Sequence, residues 1–324
     1  MSNNRLTLND IHKAQDRISA IAKRTPLVTS VRLSELTGAN VQLKLENTQE
    51  TGAFKIRGAT NKILSLTEEE KNRGVITVSS GNHGKAVSFI AGKLGIKAII
   101  CMAKSVPEDK CQAIRALGAE LLLEGKNADE AMEYADQLQA ERGLTMIHPF
   151  DDLEIIAGQG VIGLEIIEDF PKLDTVIVPL SGGGLMSGIA FTMKSIQPAA
   201  RVIGVSMDRG PAMVDSIKAG KLVEIIEEPS LADALVGGIN KDNKYTFPMV
   251  QQYMDEAVLV SEEEIAEGIW FCLNEEHMVV EGGAAVGVSA ILADKIPNLG
   301  QNIAIVISGA NLPMKILKDI ISQH

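Results

Sequence analysis

A lysine that follows an aromatic residue inside "ETGAFKIRGATNK" (residues 50–62), among glycines and small side chains, is poorly placed for a solvated surface charge. Lys55 is therefore the first candidate for chemistry. A lysine amine that reacts as a nucleophile does so best with a carbonyl, forming a Schiff base. Three further stretches carry residue types that could hold a partner for it. "VSSGNHGKA" offers Ser79, Ser80, Gly81, Asn82 and His83, whose hydroxyls, amide and backbone N–H groups suit a carboxylate. "VPLSGGGLMSGIA" sets Gly182, Gly183 and Gly184 after Ser181, just before a helical pattern starting near Leu185. Backbone can approach a phosphate closely there, and the helix dipole points at it. "IVISGANLP" adds Ser308 and Asn311. Taken singly, each has a plainer reading as a capped turn, a ligand-free glycine turn or an ordinary loop.

In combination the four stretches ask for a phosphate-bearing cofactor on the glycine loop, a carboxylate-bearing substrate on the Ser-Asn loop, and an amine near both. Pyridoxal phosphate has the phosphate and the aldehyde, so Lys55 would carry it and Phe54 would pack beside its ring. A nucleotide is not favoured: the glycine loop lacks the Lys-Ser/Thr ending of a Walker loop, and the GxGxxG spacing with an acid about 20 residues on is not met.

Such loops converge only if strands deliver them to one edge of a sheet. Short β-branched runs at 74–80, 98–102, 119–125, 174–180, 201–207 and 302–308 read as strands. Residues 84–95 and 128–143 read as helices between them, each closed by a glycine. Alternation of this kind predicts an α/β protein with parallel sheets, in which ligands bind at the carboxyl ends of strands. "HPFDD" (148–152) reads as a crossover between two sheets. It predicts a large cofactor-binding domain from 1–70 and 150–324, with a small domain at 71–149 carrying the substrate loop.

Composition narrows the class. The 324 residues, 45% hydrophobic, can bury a sizeable core. A formal net charge of -11 and 3% aromatic residues give no basic, stacking surface for nucleic acid. No apolar run approaches the roughly 20 residues of a membrane span, and the polar N-terminus lacks the halves of a signal peptide, so a cytoplasmic protein is expected. Cys101, Cys111 and Cys272 show neither metal spacing nor a disulfide framework. No fixed-period repeat is present.

"GAFKIRGA", "SSGNHG", "AGQGVIGLEI", "SGGGLMSGIA" and "SGAN" follow one another in that order. Over nearly the whole chain, from about Ile11 to Asn311, they resemble the pyridoxal-phosphate enzymes of the tryptophan-synthase β-subunit fold (fold type II), specifically the threonine dehydratase and serine racemase group. The resemblance implies two α/β domains with parallel sheets. It implies that Lys55 holds the cofactor and moves the α-proton, that Phe54 stacks near the ring, and that Asn82 bonds the 3-oxygen. Ser181, Gly182, Gly183, Gly184 and Leu185 would hold the phosphate. Ser181 replaces the first of the more usual four glycines, and its hydroxyl could donate to the phosphate. Ser79, Ser80, Asn82 and His83 would border the substrate carboxylate, and Ser308 would face the pyridine nitrogen.

A neutral hydroxyl at that nitrogen does not hold it protonated, which favours expelling a β-leaving group over storing a carbanion. The implied reaction is α,β-elimination of water from a 3-hydroxy amino acid, giving a 2-oxo acid and ammonia. Ser80 stands where threonine dehydratases usually have alanine and serine racemases the acid on the opposite face. A racemase or a 3-hydroxyaspartate dehydratase is therefore the alternative. Relatives that bind a divalent cation use a glutamate where this chain has Ser206, with only Asp208 near, so no metal is expected. "VSMDRGPAMVDSIKAGK", "PSLADALVGGINKDNKYTF" and "HMVVEGGAAVGVSAIL" look similar to the hydroxyectoine-utilisation dehydratases, whose substrate would be a hydroxylated diamino acid. Glu281 is a weaker candidate to face the cofactor, and Asp233 could equally cap a loop. The chain ends near its last strand, so feedback control through a C-terminal domain is not expected. Family members are commonly dimers or tetramers, which implies a homodimer or homotetramer.

Overall fold

The computed structural model describes residues 5–239 and 242–324. Among them the strands, in chain order, are β1 (Leu27–Thr29), β2 (Asn40–Lys44), β3 (Val75–Val78), β4 (Ala98–Met102), β5 (Glu120–Leu123), β6 (Thr145–Met146), β7 (Thr175–Pro179), β8 (Arg201–Met207), β9 (Glu256–Val260) and β10 (Asn302–Val306). They form two sheets, with helices between successive strands as the alternation of patterns requires.

The chain divides into two compact units. One contains the chain up to Lys23 together with Lys55–Gly158; the other contains Arg24–Phe54 and Gln159–His324. These bounds differ from those expected at 70 and 150. The helix Lys55–Ser65 packs on the helix Asn82–Leu94, and the helix Leu8–Ile18 packs on Lys55–Ser65, so all three group with the four-stranded sheet.

That sheet has the order β5-β4-β3-β6, parallel throughout. β4 is buried along its whole length, which explains its continuous apolar sequence "AIICM": a parallel strand covered on both faces needs no polar alternation. Ile76, Ile99, Cys101, Ala135, Leu138 and Leu144 form its core. The flanking helices stop where the sequence places glycine, with Gly95 (φ 68°) and Gly143 (φ 63°) in the left-handed conformation.

The six-stranded sheet has the order β1-β2-β10-β7-β8-β9. All neighbours are parallel except β1, a three-residue edge strand antiparallel to β2. Val41, Leu43, Ile177, Ile203, Val205, Ile303 and Ile305 supply its core, against the almost wholly buried helix Gly282–Leu292, apolar but for Ser289. At the end of β2, Lys44 is fully buried and its Nζ lies 2.6 Å from Glu165 Oε2. Among the described residues, no helix is long and apolar enough to cross a membrane.

Candidate active site

In the unit with the four-stranded sheet, Lys55 is the first residue of its helix and is half-buried. Its Nζ donates to the carbonyl oxygen of Pro149 at 2.7 Å. Pro149 follows β6, whose parallel pairing with β3 is continued by the amide of Ile147 on the carbonyl of Ile76 (2.8 Å). The turn Ser79–Gly81 leaves the carboxyl end of β3 and leads into the helix Asn82–Leu94. Its N-cap is Gly81, and no side chain caps the helix there. Ser79, Ser80 and Asn82 are half-buried around the turn, and the Ser79 hydroxyl accepts from the amide of Gly81 (3.3 Å).

His83 is buried, at 3% exposure. Its Nε2 is 2.9 Å from the carbonyl oxygen of Ile147, and since a carbonyl only accepts, Nε2 carries the hydrogen. The same oxygen accepts from the Thr77 hydroxyl at 2.8 Å. Nδ1 of His83 is buried with no hydrogen-bond partner. Burial, reinforced by the positive charge of Lys55, pushes the imidazole pKa down to about 3 against the pull of the Ile147 bond, so the ring is neutral. His148 is also fixed as an acceptor at Nδ1, which takes the amides of Phe150 (3.2 Å) and Asp151 (2.7 Å). Sequence reasoning read this segment only as a crossover. The Ile147 and Pro149 groups that matter are backbone carbonyls, which no side-chain motif announces.

In the other unit, β7 and β10 are adjacent and parallel, so the Ser181 loop and Ser308 leave the same edge of the sheet. The helix Gly184–Ile196 starts there with Gly183 as its N-cap and no side-chain cap. Gly183 has φ +88°, and a Cβ on it would lie 2.8 Å from Met213 Cε and 3.0 Å from both Thr246 Cβ and Val250 Cγ2. Only glycine satisfies both conditions. Ser181 donates its hydroxyl to the carbonyl of Leu235 at 2.9 Å, and Leu185 is buried in the helix.

Ser308 is buried, and its carbonyl accepts from the amide of Phe54 at 3.0 Å, which draws those two residues together. Asn311 Nδ2 donates to the carbonyl of Thr51 (3.0 Å). Glu281 is buried with its amide on the carbonyl of Gly309 (3.1 Å), while Asp233 is exposed at the start of a short turn. Ser206 is buried in β8 and Asp208 is exposed beyond it. Among the described residues no group of three or more His, Cys, Asp or Glu side chains could hold a metal ion.

These residues fit pyridoxal phosphate. An uncapped helix N-terminus, reached through a glycine whose Cβ would fill the turn, is a cradle for a phosphate. A half-buried lysine whose amine rests on the Pro149 carbonyl is suited to the aldehyde.

Comparison with known proteins gives a consistent result. The family model described as pyridoxal-phosphate dependent enzyme matches residues 18–309. A protein of Thermotoga maritima named L-threonine ammonia-lyase is 45% identical over 98% of this chain and 79% of its own length. Among solved structures, maize serine racemase superposes with a TM-score of 0.91 at 32% identity, covering 98% of this chain and 97% of its own. The processed form of threonine deaminase isoform 2 from Solanum lycopersicum gives 0.88 at 33% identity, over 98% and 94%.

Proposed function

The chain belongs to the family of pyridoxal-phosphate-dependent enzymes, with pyridoxal phosphate as its cofactor, and we propose that it is a dehydratase that eliminates water from a 3-hydroxy amino acid. What carries this reading is the 45% identity, across 98% of the chain, to a protein named L-threonine ammonia-lyase. L-Threonine and L-serine are the first substrates to consider. The likeness of residues 205–221 and 277–292 to the hydroxyectoine branch adds a hydroxylated diamino acid.

When bound, the cofactor supplies the aldehyde for the Lys55 amine and a conjugated ring that draws electrons from the substrate Cα–H bond. The amides of Gly182, Gly183, Gly184 and Leu185 would hold the phosphate, with Ser181 setting the entry to the loop. Phe54 would pack on the ring, Asn82 would donate to its 3-oxygen, and Ser308 would face its nitrogen with a neutral hydroxyl. Ser79, Ser80 and the first amides of the helix Asn82–Leu94 hold the substrate carboxylate. Lys55, its amine steadied by the Pro149 carbonyl, takes the α-proton, and the β-hydroxyl leaves as water. The released enamine adds water and loses ammonia to give the 2-oxo acid. In this reading the larger unit binds the cofactor and the smaller carries the substrate loop. The working form is a homodimer or homotetramer.

A second reading is a racemase, favoured by the 32% identity to maize serine racemase and by a hydroxyl at Ser80. The test is 2-oxo acid release by the cofactor-loaded protein on L-threonine, L-serine, threo-3-hydroxyaspartate and the hydroxylated diaminobutyrate, with chiral analysis of unreacted amino acid. Release that disappears in Lys55→Ala supports the dehydratase. Inversion without release supports the racemase and defeats elimination.

A further inference from the structure

His83 is a buried group that the elimination sequence above does not use. It follows Asn82 in the substrate loop, yet the ring is turned away from carboxylate chemistry. Nε2–H is spent on the Ile147 carbonyl, and Nδ1 carries a lone pair that can only accept. A neutral acceptor repels a carboxylate and attracts a donor. Leaving such an atom buried without a partner is unfavourable, so a donor that arrives during the working cycle is the physical counterpart to look for.

Lys55 is the donor that the packing of these elements offers. The two residues open helices that pack on one another, and Ile147 and Pro149, their respective acceptors, are two residues apart in one segment. They are close enough for the lysine charge to be felt at the imidazole. A neutral histidine beside a reacting lysine has a further use. A protonated one would push its charge onto the amine, whereas the Ile147 carbonyl selects the Nε2–H tautomer and keeps Nδ1 open.

We propose that His83 is a positioning residue for Lys55: its Nδ1 accepts one N–H of the lysine amine while the Pro149 carbonyl accepts another, fixing the direction in which the nitrogen lone pair points. The inference rests on Lys55 being the lysine that takes up the cofactor, and goes beyond it by assigning what orients that lysine. It also reassigns His83 from bordering the substrate carboxylate to supporting the base.

The test needs no substrate. Cofactor-free protein is mixed with pyridoxal phosphate across a pH series, and the rate at which the visible band of lysine-bound cofactor appears is recorded. Only the unprotonated amine reacts, so the midpoint of the profile reports the Lys55 pKa, and the cofactor's own ionisations are common to all variants. An acceptor at Nδ1 stabilises the ammonium and raises that pKa. His83→Leu is therefore expected to lower the midpoint by roughly half a unit to one unit and, at pH above both midpoints where the amine is unprotonated in each protein, to slow capture several-fold because the lone pair is no longer directed. His83→Asn, which can place an amide oxygen near Nδ1, should restore most of the shift. His83→Gln can keep a donor toward Ile147 without the Nδ1 acceptor, so it should fold normally and still show the lowered midpoint. A midpoint unchanged in folded His83→Gln and His83→Leu overturns the proposal. So does a variant effect confined to KM for hydroxylated substrates, which would make Nδ1 the acceptor for the substrate hydroxyl. If the unaltered protein captures cofactor and Lys55→Ala captures it equally well, the assignment of Lys55 fails instead.

Discussion

Ser181 donates its hydroxyl hydrogen to the carbonyl oxygen of Leu235 at 2.9 Å. The only proton the side chain has to give is used within the protein, so its hydroxyl ties the glycine loop to the segment after the short turn Asp233–Leu235. In the proposed reading the amides of the loop serve the phosphate. The size of the effect separates this role from direct donation to the phosphate. A neutral hydrogen bond contributes about 0.5–1.5 kcal/mol, and one to a charged group about 1.5–3. Ser181→Ala is expected to weaken pyridoxal phosphate binding by roughly 2- to 10-fold, measured by titrating cofactor-free protein. A loss nearer 100-fold would mean that the hydroxyl reaches the phosphate.

Gly183 should tolerate no side chain. An L-residue at φ +88° is strained, and a Cβ would press not only on the flexible end of Met213 but on Thr246 Cβ and Val250 Cγ2, which lie close to their backbones and cannot swing away. Gly183→Ala is expected to lower stability by about 1–3 kcal/mol and to reduce cofactor affinity at least 10-fold. Gly182→Ala should be milder on stability, because Gly182 is not among the positive-φ glycines. Urea unfolding of both variants, with and without cofactor, makes the comparison.

The glycine-ended helices and the sheets were legible because they combine side-chain signals with backbone ones. Gly182–Gly184 follows the apolar run of β7, Gly95 and Gly143 end their helices, and the all-buried strand β4 reads as an unbroken apolar run. β1 and β6 gave no signal, since three and two residues are too few to show a period. β2, in "NVQLK", and β9, in "EAVLV", alternate only partly and were not read as strands. The compact units also escaped sequence reasoning. The grouping of Lys55–Ser65 with the four-stranded sheet depends on packing against Asn82–Leu94, which is a fact of three dimensions. His83 is expected from the sequence to border the substrate carboxylate, and nothing there shows its bond to Ile147, which depends on a carbonyl 64 residues away.

The buried pair of Lys44 and Glu165 should behave asymmetrically. Lys44 Nζ also donates to the carbonyl of Thr25 (2.7 Å), and the Thr25 hydroxyl donates to Glu46 at 2.5 Å, so the charges sit in a shared polar network. Removing one partner leaves an uncompensated buried charge and costs about 3–5 kcal/mol, whereas replacing both with apolar groups of similar volume is often near neutral. Lys44→Met alone is therefore expected to be strongly destabilising in urea unfolding, and Lys44→Met with Glu165→Leu to recover most of the loss. A double variant no better than the single one would show that the network, and not the pair, holds the end of β2.

His83 makes stability depend on pH in one definite direction. In the unfolded chain its imidazole takes a proton near its ordinary 6.5, but in the folded protein burial, with Lys55 and His148 nearby, keeps it neutral down to about 3. Between those values the unfolded chain binds the extra proton, so stability rises with pH across the window and falls as pH drops from about 6.5 toward 3. Above pH 6.5 the full contribution is present. Two units below the unfolded value, near pH 4.5, this one residue should account for about 2–3 kcal/mol of lost stability. Carboxylates titrate in the same range, so the measurement is a difference: urea unfolding of the unaltered protein and of His83→Gln at pH 7 and pH 4.5. The glutamine variant should lose less on acidification. Equal losses in the two proteins would mean that His83 takes up its proton in the folded state, and the neutral Nε2–H tautomer would have to be given up.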